Sequence, residues 1–234
     1  MTTPPEVTFE PTETLKRDLF GVIDRGVAIV DGSRIPATRR HLSKAPLPLR
    51  PIARMLASRE ARAMLRLEGV DGVPWILARR RAYHLRTWID GSPIDRAPPA
   101  DPEYYAEALR LLRRIHRAGV THNDTHKEPN WLVREDGSPA LLDFQLATRH
   151  RRRSRWFRLC ALEDIRHLLK HKKKYCPHAL TPTQRAILKR RSWPARYWRR
   201  FGKPIYRWFT RRVLKWRDDE GRGMLDQPPS KSGD

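Results

Sequence analysis

Side chains that could act in catalysis or metal binding are concentrated in residues 121–133, which read THNDTHKEPNWLV. Asp124 and Asn130 lie six residues apart in this segment, and Asp143 ends an apolar run ten residues after it. Two carboxylates and an amide oxygen are hard oxygen donors that suit Mg²⁺, which usually takes one or two protein carboxylates and keeps several waters. The spacing therefore predicts a magnesium site.

Two basic side chains, His126 and Lys127, stand between these oxygen donors. A divalent metal, a cation and a spare carboxylate together suit phosphoryl transfer, in which the protein mainly positions the reactants and neutralises charge. A plainer alternative is a helix-to-strand turn rich in Asx hydrogen bonds. That alternative leaves Asp143 without a role, although taken alone this aspartate could simply cap a strand.

Positive charge dominates the composition. The 234 residues hold 49 Lys and Arg against 26 Asp and Glu, a net charge of +23. Residues 148–217 carry 24 of these bases and only two acids, Glu163 and Asp164, so nearly all the excess lies there. Such an imbalance indicates an anionic partner, whether nucleotide, nucleic acid or lipid headgroup.

The cysteines and the length of the apolar runs indicate in which cellular compartment the protein is expected. Cys160 and Cys176 lack C-x-x-C spacing and a nearby cluster of histidines, so neither a disulfide nor a zinc site is expected. No apolar run approaches the ~20 residues that span a bilayer. The proline-rich start MTTPPEVTFEPTE does not resemble a signal peptide. We therefore expect a cytoplasmic protein, with a peripheral position on the inner membrane face as an option.

The first part of the chain is expected to be rich in strands. Residues 1–13 are interpreted as a flexible leader and residues 14–91 as a first lobe. Asp31 and Gly32 predict a tight hairpin, because both positions tolerate positive φ. The pattern ARMLASREARAMLRLEG predicts a helix that ends at Gly69. One or two further strands follow within VPWILARRRAYHLRTWI.

Residues 92–217 are expected to form a second, helical lobe. An apolar stripe follows Asp101, a helix cap, and ends at Gly119; its members are Tyr105, Ala108, Leu109, Leu112 and Ile115. WLV, EDGSPA and ALLDF predict a short hairpin whose second strand ends on Asp143. Basic, aromatic helices are expected from about residue 149, and residues 218–234 are interpreted as a disordered tail.

Two short motifs resemble those of a known superfamily. His122-Asn123-Asp124 with Asn130, followed by Asp143-Phe144, resembles the H-x-D…N and D-F-G motifs of protein-kinase-like proteins. Gln145 stands where conventional kinases have glycine, which is similar to the RIO-type kinases; bacterial kinases of lipopolysaccharide core sugars also look similar. The resemblance implies an α+β bilobal fold with ATP and Mg²⁺ in the cleft. It further implies phosphorylation of a hydroxyl on a protein Ser/Thr or a lipopolysaccharide sugar.

The resemblance also implies residue roles. Asp124 would accept or orient the proton of the attacking hydroxyl, and Asn130 with Asp143 would hold Mg²⁺. Lys127 or His126 would neutralise the transferring group. Further roles fall to His122, which would pack beneath the loop, and to Glu60, which would pair with a phosphate-gripping base. For Glu60 the alternative is an exposed helix residue in local ion pairs.

The sequence departs from the superfamily pattern in three places. Five residues rather than four separate Asp124 from Asn130, so we expect the loop to bulge. Only Gly21 is available to cover phosphates, since no G-x-G-x-x-G occurs. Arg39 and Arg40 are the candidates to replace the usual lysine, because arginine can bind a carboxylate and a phosphate bidentately; solvated charge at a strand edge is the alternative. A catalytically inactive nucleotide-binding regulator and a small-molecule phosphotransferase are therefore alternatives.

The basic last third has its own alternatives. Aromatic and arginine residues alternate in WPARYWRRFGKPIYRWFTRRVLKW. The pattern is compatible with packing onto the domain, with an anionic membrane surface, or with RNA contacts. RNA is a less favoured partner than a nucleotide and its acceptor. Glu163 and Asp164 are interpreted either as residues that orient the loop of Asp124 or as charges at a helix N-terminus.

Overall fold

The computed structural model describes residues 7–18 and 21–189. This part of the chain is a mixed α/β structure with a large antiparallel sheet, two small sheets and four α-helices. The expectations for the aromatic segment from residue 193 and for the tail fall outside the described residues.

A five-stranded antiparallel sheet comes first. Its strands are β1 (Val7–Asp18), β2 (Gly21–Val30), β3 (Ser33–His41), β4 (Ile76–Arg79) and β5 (Tyr83–Thr87), in the order β1-β2-β3-β5-β4. The hairpin at Asp31 and Gly32 is confirmed, with φ of 47° and 82°. The flexible leader is wrong for residues 7–13, which pair with β2 because Val7 and Phe9 pack against the apolar cluster of the sheet.

Helix α1 (Arg50–Met64) follows a short 3₁₀ turn and lies between β3 and β4 in the chain. Its alanine-rich face is buried, which lets the helix approach its neighbours closely. The predicted helix is confirmed but ends five residues before Gly69. Irregular turns follow it, and Gly69 has a φ of 77°.

Helix α2 (Pro102–Arg117) is the centre of the larger core. The carboxylate of Asp101 accepts a hydrogen bond from the backbone N–H of Glu103, which confirms the predicted cap. The predicted stripe faces the core, with Tyr105, Ala108, Leu112 and Ile115 buried and Leu109 half-buried. Gly119 follows the helix with a φ of 75°.

The remaining elements frame the polar segment. They are β6 (Ser92–Pro93), β7 (Val120–Thr121), β8 (Trp131–Val133), β9 (Pro139–Leu141), β10 (Thr148–Arg149), α3 (Arg155–Tyr175) and α4 (Pro182–Lys189). Strands β6, β8 and β9 form one sheet and β7 pairs with β10. The β8–β9 hairpin is confirmed, although its second strand ends at Leu141, two residues before Asp143.

Two further expectations concern the cysteines and the membrane. Both thiols are free, with Cys176 buried and Cys160 partly buried, so no disulfide forms between them. Among the described residues, no helix combines the length and the apolar character needed to cross a bilayer.

Candidate active site

The loop between β7 and β8 is held from below by one carboxylate of α3. Oδ1 of Asp164 accepts the backbone N–H of Asn123 at 2.8 Å, and its Oδ2 accepts that of His122 at 2.9 Å. His116 of α2 lies 3.1 Å from the same Oδ2. Asp164 is 1% exposed and Asn123 has a φ of 66°, so the carboxylate fixes a left-handed turn directly before Asp124. The hypothesis that Asp164 orients the loop is confirmed.

The same face of α3 holds the rest of the loop. Nε2 of His171 donates to the carbonyl oxygen of Thr125 at 3.0 Å, and Lys174 pairs with Glu128 at 2.7 Å. Burial lowers the pKa of His171, against the raising effects of the Thr125 carbonyl and Glu128. The spacing 164, 171 and 174 places these side chains along one stripe of the helix. Glu163 belongs to a different set of contacts, since it pairs with Arg166.

Asp124 is a buried carboxylate flanked by an imidazole and an ammonium group. It is 2% exposed, with Oδ1 at 3.1 Å from Nδ1 of His126 and Oδ2 at 3.2 Å from Nζ of Lys127. Oδ1 is shut off from solvent and has no hydrogen bond of good geometry. The structure thus brings together all three residues for which the sequence predicted catalytic roles.

Asn130 reaches Asp124 despite the extra residue between them. Its Nδ2 donates to the backbone oxygen of Asp124 at 3.0 Å and to Oδ2 at 3.3 Å. A 3₁₀ turn over Glu128–Asn130 takes up the additional residue, so the expected bulge is a turn. Because the amide nitrogen is used in this way, the amide oxygen of Asn130 remains as an acceptor for a cation.

Asp143 sits in a strained backbone conformation next to this loop. Its φ and ψ are 62° and 70°, a region that non-glycine residues seldom adopt and that is associated with functional sites. The preceding residue is fixed on both sides: Leu142 N–H donates to the Asn130 carbonyl, and Nε2 of His122 donates to the Leu142 carbonyl, both at 2.8 Å. His122 is fully buried against Phe144, in agreement with its predicted packing role.

These donors can be tested for their fit to a metal. Oδ1 of Asp143, like that of Asp124, is buried without a hydrogen bond, and a lone buried carboxylate oxygen is costly unless a cation or donor meets it. The described residues contain no group of three or more His, Cys, Asp or Glu side chains arranged for a metal. Mg²⁺ needs only one or two protein carboxylates, and the carboxylate of Asp143 and the amide oxygen of Asn130 are the hard oxygen donors that this ion takes.

Glu60 pairs with a residue that the sequence did not single out. It is 4% exposed on α1, and its carboxylate forms an ion pair with Arg86 of β5. Nε of Arg86 also donates to Thr38 at 3.2 Å. The alternative of an exposed glutamate is therefore wrong. No short motif surrounds Arg86. The β3–β5 register places Arg86 opposite Thr38, and helix α1 brings Glu60 to the same guanidinium.

The proposed partners of Glu60, Arg39 and Arg40, point to opposite faces of the sheet because they are neighbours in a strand. The guanidinium of Arg39 lies over the Phe9 ring at 4.5 Å and 3.9 Å from Asp24. Nη2 of Arg40 donates to the side-chain oxygen of Gln145 at 2.6 Å, with the amide of Gln145 oriented so that its oxygen faces the guanidinium. The predicted pairing with Glu60 is therefore wrong, and only Arg40 faces the segment after Asp143.

Gly21 also has a different setting from the one expected. It is buried at the start of β2 with a φ of 134°, and a side chain there would collide with the carbonyl oxygen of His41 in β3. Close approach of the two backbones is therefore sufficient reason for a glycine at this position.

Removing one partner of the Glu60–Arg86 pair should destabilise the fold more than removing both. Glu60→Ala leaves the guanidinium of Arg86, which is 21% exposed, without its counter-charge. Breaking a fully buried pair costs ~3–5 kcal/mol, so the loss here should be smaller than that. In the double variant with Arg86→Met that charge is absent, so part of the loss should be recovered. Urea unfolding of the four proteins of this cycle measures the coupling. Additive losses would show that the two side chains do not depend on each other.

Comparison with known proteins yields one partial similarity. No protein-family model matches the chain. Over 113 residues the chain is 35% identical to the probable SapB synthase of Streptomyces coelicolor, a match that covers 38% of this chain and 12% of that protein. Because the chain spans only a small part of this relative's length, the similarity does not define a family.

Proposed function

We propose that this chain is an ATP- and Mg²⁺-dependent phosphotransferase with a bilobal protein-kinase-like fold of the RIO or lipopolysaccharide-kinase type. The observation that carries the proposal is the buried carboxylate of Asp124, flanked by His126 and Lys127 and bonded to the amide of Asn130. A helix-to-strand turn with a purely structural role does not require a buried carboxylate between a lysine and a histidine side chain.

The order of elements supports the same proposal. Along the chain, the strands of the antiparallel sheet come first, with α1 between β3 and β4. They are followed by α2, the loop of Asp124, a hairpin and then Asp143. Helix α1 packs against the turn that follows Asp143, and Arg59 donates to the carbonyl oxygens of Ala147 and Leu146 at 2.8 and 3.1 Å. Glu60, the next residue, therefore lies on a helix that is anchored to the Asp143 segment.

In the proposed reaction Asp124 binds and orients the acceptor hydroxyl and takes its proton as the oxygen attacks the γ-phosphorus of ATP. The bond from that phosphorus to the β–γ bridging oxygen breaks, and ADP leaves. The loop is held rigidly by Asp164, so the carboxylate is positioned before the acceptor arrives. Lys127 and His126 balance negative charge beside it. Positioning and charge neutralisation are what phosphoryl transfer mainly asks of a protein.

The nucleotide side of the site is proposed as follows. Asn130 and Asp143 would hold Mg²⁺, which supplies neutralisation of the charge on the phosphate oxygens. Arg86, kept in place by Glu60, and Arg40, which faces Gln145, are the basic groups available to contact phosphates. Both lie on one face of the sheet, as the alternation of residues 38 and 40 along β3 requires.

Asp143→Asn should weaken Mg²⁺-dependent ATP binding at least about tenfold. The reason is that loss of a residue that only hydrogen-bonds to a metal ligand already lowers metal affinity ~10–100-fold. Isothermal titration with MgATP measures the effect, and Asp95→Asn, at an exposed position, serves as the matched control. Incubation of wild-type protein with γ-labelled ATP and protein, lipid and RNA fractions then identifies the acceptor. Absence of MgATP binding by the wild-type protein would refute the proposal.

An inactive nucleotide-binding regulator is the second candidate. It is favoured by the identity of the residue that pairs with Glu60. This residue is Arg86, whereas the kinases that the sequence resembles use a lysine. MgATP binding without transfer of label to any fraction would select this candidate. An RNA-binding regulator would instead show ATP-independent binding that falls steeply with salt.

The proposed acceptor is a hydroxyl of a protein Ser/Thr or of a lipopolysaccharide core sugar. We place the reaction in the cytoplasm, with an anionic inner membrane surface as an additional contact for the basic segments. Free thiols at Cys160 and Cys176 are compatible with a reducing compartment.

A further inference from the structure

A groove lined by guanidinium groups lies between α1 and the chain around β10. Its volume is about 370 Å³, within the range of about 300–1,000 Å³ typical of small-molecule sites. Six of its lining residues are basic, and we call the site the arginine groove: Arg59, Arg62, Arg66, Arg149, His150 and Arg151. No carboxylate lines it among the described residues.

The positive charge in the arginine groove is not compensated. The side chains of Arg66, Arg149 and Arg151 make no hydrogen bond or ion pair with another described residue, and all three are exposed. Arg62 donates only to the carbonyl oxygen of Ser58, at 3.1 Å. Like charges held together repel one another, so the free energy of this arrangement falls when an anion enters.

Two of the lining residues are fixed by the fold. Nε and Nη2 of Arg59 donate to the segment after Asp143, including Thr148 Oγ1 at 2.7 Å, which sets the depth of the arginine groove. His150 packs against Phe157 and lies 3.0 Å from Thr121 Oγ1. Burial lowers its pKa, only partly offset by the charge of Asp164, so near pH 7 the groove presents five guanidinium charges and a neutral imidazole.

The charge count selects the ligand. A phosphate monoester carries about −1.5 to −2 charges at neutral pH, so two phosphate groups balance most of the five guanidinium charges. Arginine binds phosphate through two parallel N–H donors, and positions 59, 62 and 66 follow one another along one side of α1 and the turn after it. Strand β10 brings Arg149 to the opposite side.

The arginine groove shares a wall with the candidate active site. Nδ2 of Asn123 donates to Leu146 O at 2.8 Å and to Thr148 Oγ1 at 3.0 Å, the same two groups that receive Arg59. Asn123 is the residue before Asp124, and β10 pairs with β7, which leads into the loop. A ligand bound in the groove is therefore next to the chain that carries the catalytic carboxylate.

We propose that the arginine groove binds a ligand with two phosphate groups and that this ligand is the phosphoacceptor, whose hydroxyl then reaches Asp124. The identification as acceptor rests on the proposed phosphotransferase function; the binding of a bisphosphate does not. The acceptor class is thus a molecule that already carries phosphate, such as a phosphorylated sugar or its lipid-linked form.

Binding is tested with inorganic pyrophosphate in EDTA, without ATP, by isothermal titration of the full chain. Arg62→Gln/Arg149→Gln should weaken binding at least tenfold. Arg113→Gln/Arg117→Gln removes the same charge from exposed positions on α2 and should change binding less than twofold. Equal losses in both double variants would overturn the proposal, because the attraction would then come from net charge alone. Tighter binding of a single-stranded RNA oligomer, weakened equally by both pairs, would overturn it as well.

The acceptor role is tested by transfer of label from γ-labelled ATP to a fraction with and without phosphatase treatment. We expect the treated fraction to lose labelling, and the groove variant to raise the KM for the untreated acceptor while leaving the KM for ATP unchanged. Equal labelling of both fractions would overturn the acceptor role. Selective pyrophosphate binding with no transfer at all would refute the phosphotransferase function and support the arginine groove as a bisphosphate site.

Discussion

Replacement of Asp124 by asparagine is expected to lower phosphoryl transfer by ~10²–10⁴-fold, the usual contribution of a positioned general base. Asparagine keeps the size of the side chain and one acceptor oxygen, so the loop should hold its shape. It loses the charge that faces Nδ1 of His126 and Nζ of Lys127 at 3.1 and 3.2 Å. Initial rates with γ-labelled ATP and the acceptor fraction measure the effect.

The control for this variant is Asp95→Asn, which makes the same chemical change at an exposed aspartate. Both variants should bind MgATP as the wild type does, because Asn130 and Asp143 are unchanged. A rate within threefold of wild type for Asp124→Asn would contradict the assigned role. A loss of rate accompanied by a lower unfolding midpoint would instead indicate that Asp124 acts through the stability of the loop.

Elements with strong local signals could be predicted from the sequence. Helix α2 has an N-terminal cap at Asp101, a regular apolar stripe and a glycine after its end, so each local preference agrees with the fold. The tight turn at Asp31 and Gly32 is similarly determined by two residues. Asp124 and Asn130 could be selected as candidates from residue type and spacing, and the structure brings their side chains within hydrogen-bond distance.

Features that depend on tertiary contacts could not be predicted in this way. The partner of Glu60 is Arg86, 26 residues away on strand β5, and only the packing of helix α1 near that strand brings the two side chains together. Strand β1 was missed because the prolines and acids of residues 1–13 resemble a leader, whereas pairing with β2 and the contacts of Phe9 stabilise the strand. The arginine groove likewise combines two segments more than 80 residues apart.

The loop of Asp124 shows how a local motif depends on a distant group. Asn123 has a left-handed conformation that isolated residues of this type adopt at some cost, and nothing in the sequence around it compensates. The compensation comes from Asp164, about 40 residues later, whose two oxygens accept the N–H groups of His122 and Asn123. The geometry of the Asp124 loop is therefore determined by α3 as much as by the loop itself.

Replacement of Asp164 by alanine should consequently be the most destabilising change near the site. Two buried N–H groups and the His116 ring would lose their acceptor together, and removing one partner from a buried hydrogen-bonded charge network costs ~3–5 kcal/mol. Urea unfolding measures the total. Hydrogen exchange of the amides of His122 and Asn123 measures the loop itself, and both should lose their protection.

Glu163→Ala is the matched control, because Glu163 is the adjacent acid of α3 and pairs with Arg166 at 3.4 Å nearer the surface. Its loss should be clearly smaller than that of Asp164→Ala, because the Glu163–Arg166 pair is 19% and 15% exposed whereas Asp164 is 1% exposed, and the two loop amides should remain protected. Equal destabilisation by both variants would mean that charge on α3, and not the hydrogen bonds of Asp164, stabilises this region. Intact amide protection in Asp164→Ala would show that the left-handed turn at Asn123 is stable without its carboxylate, and the proposed preorganisation of Asp124 would have to come from Thr125 and His171 instead.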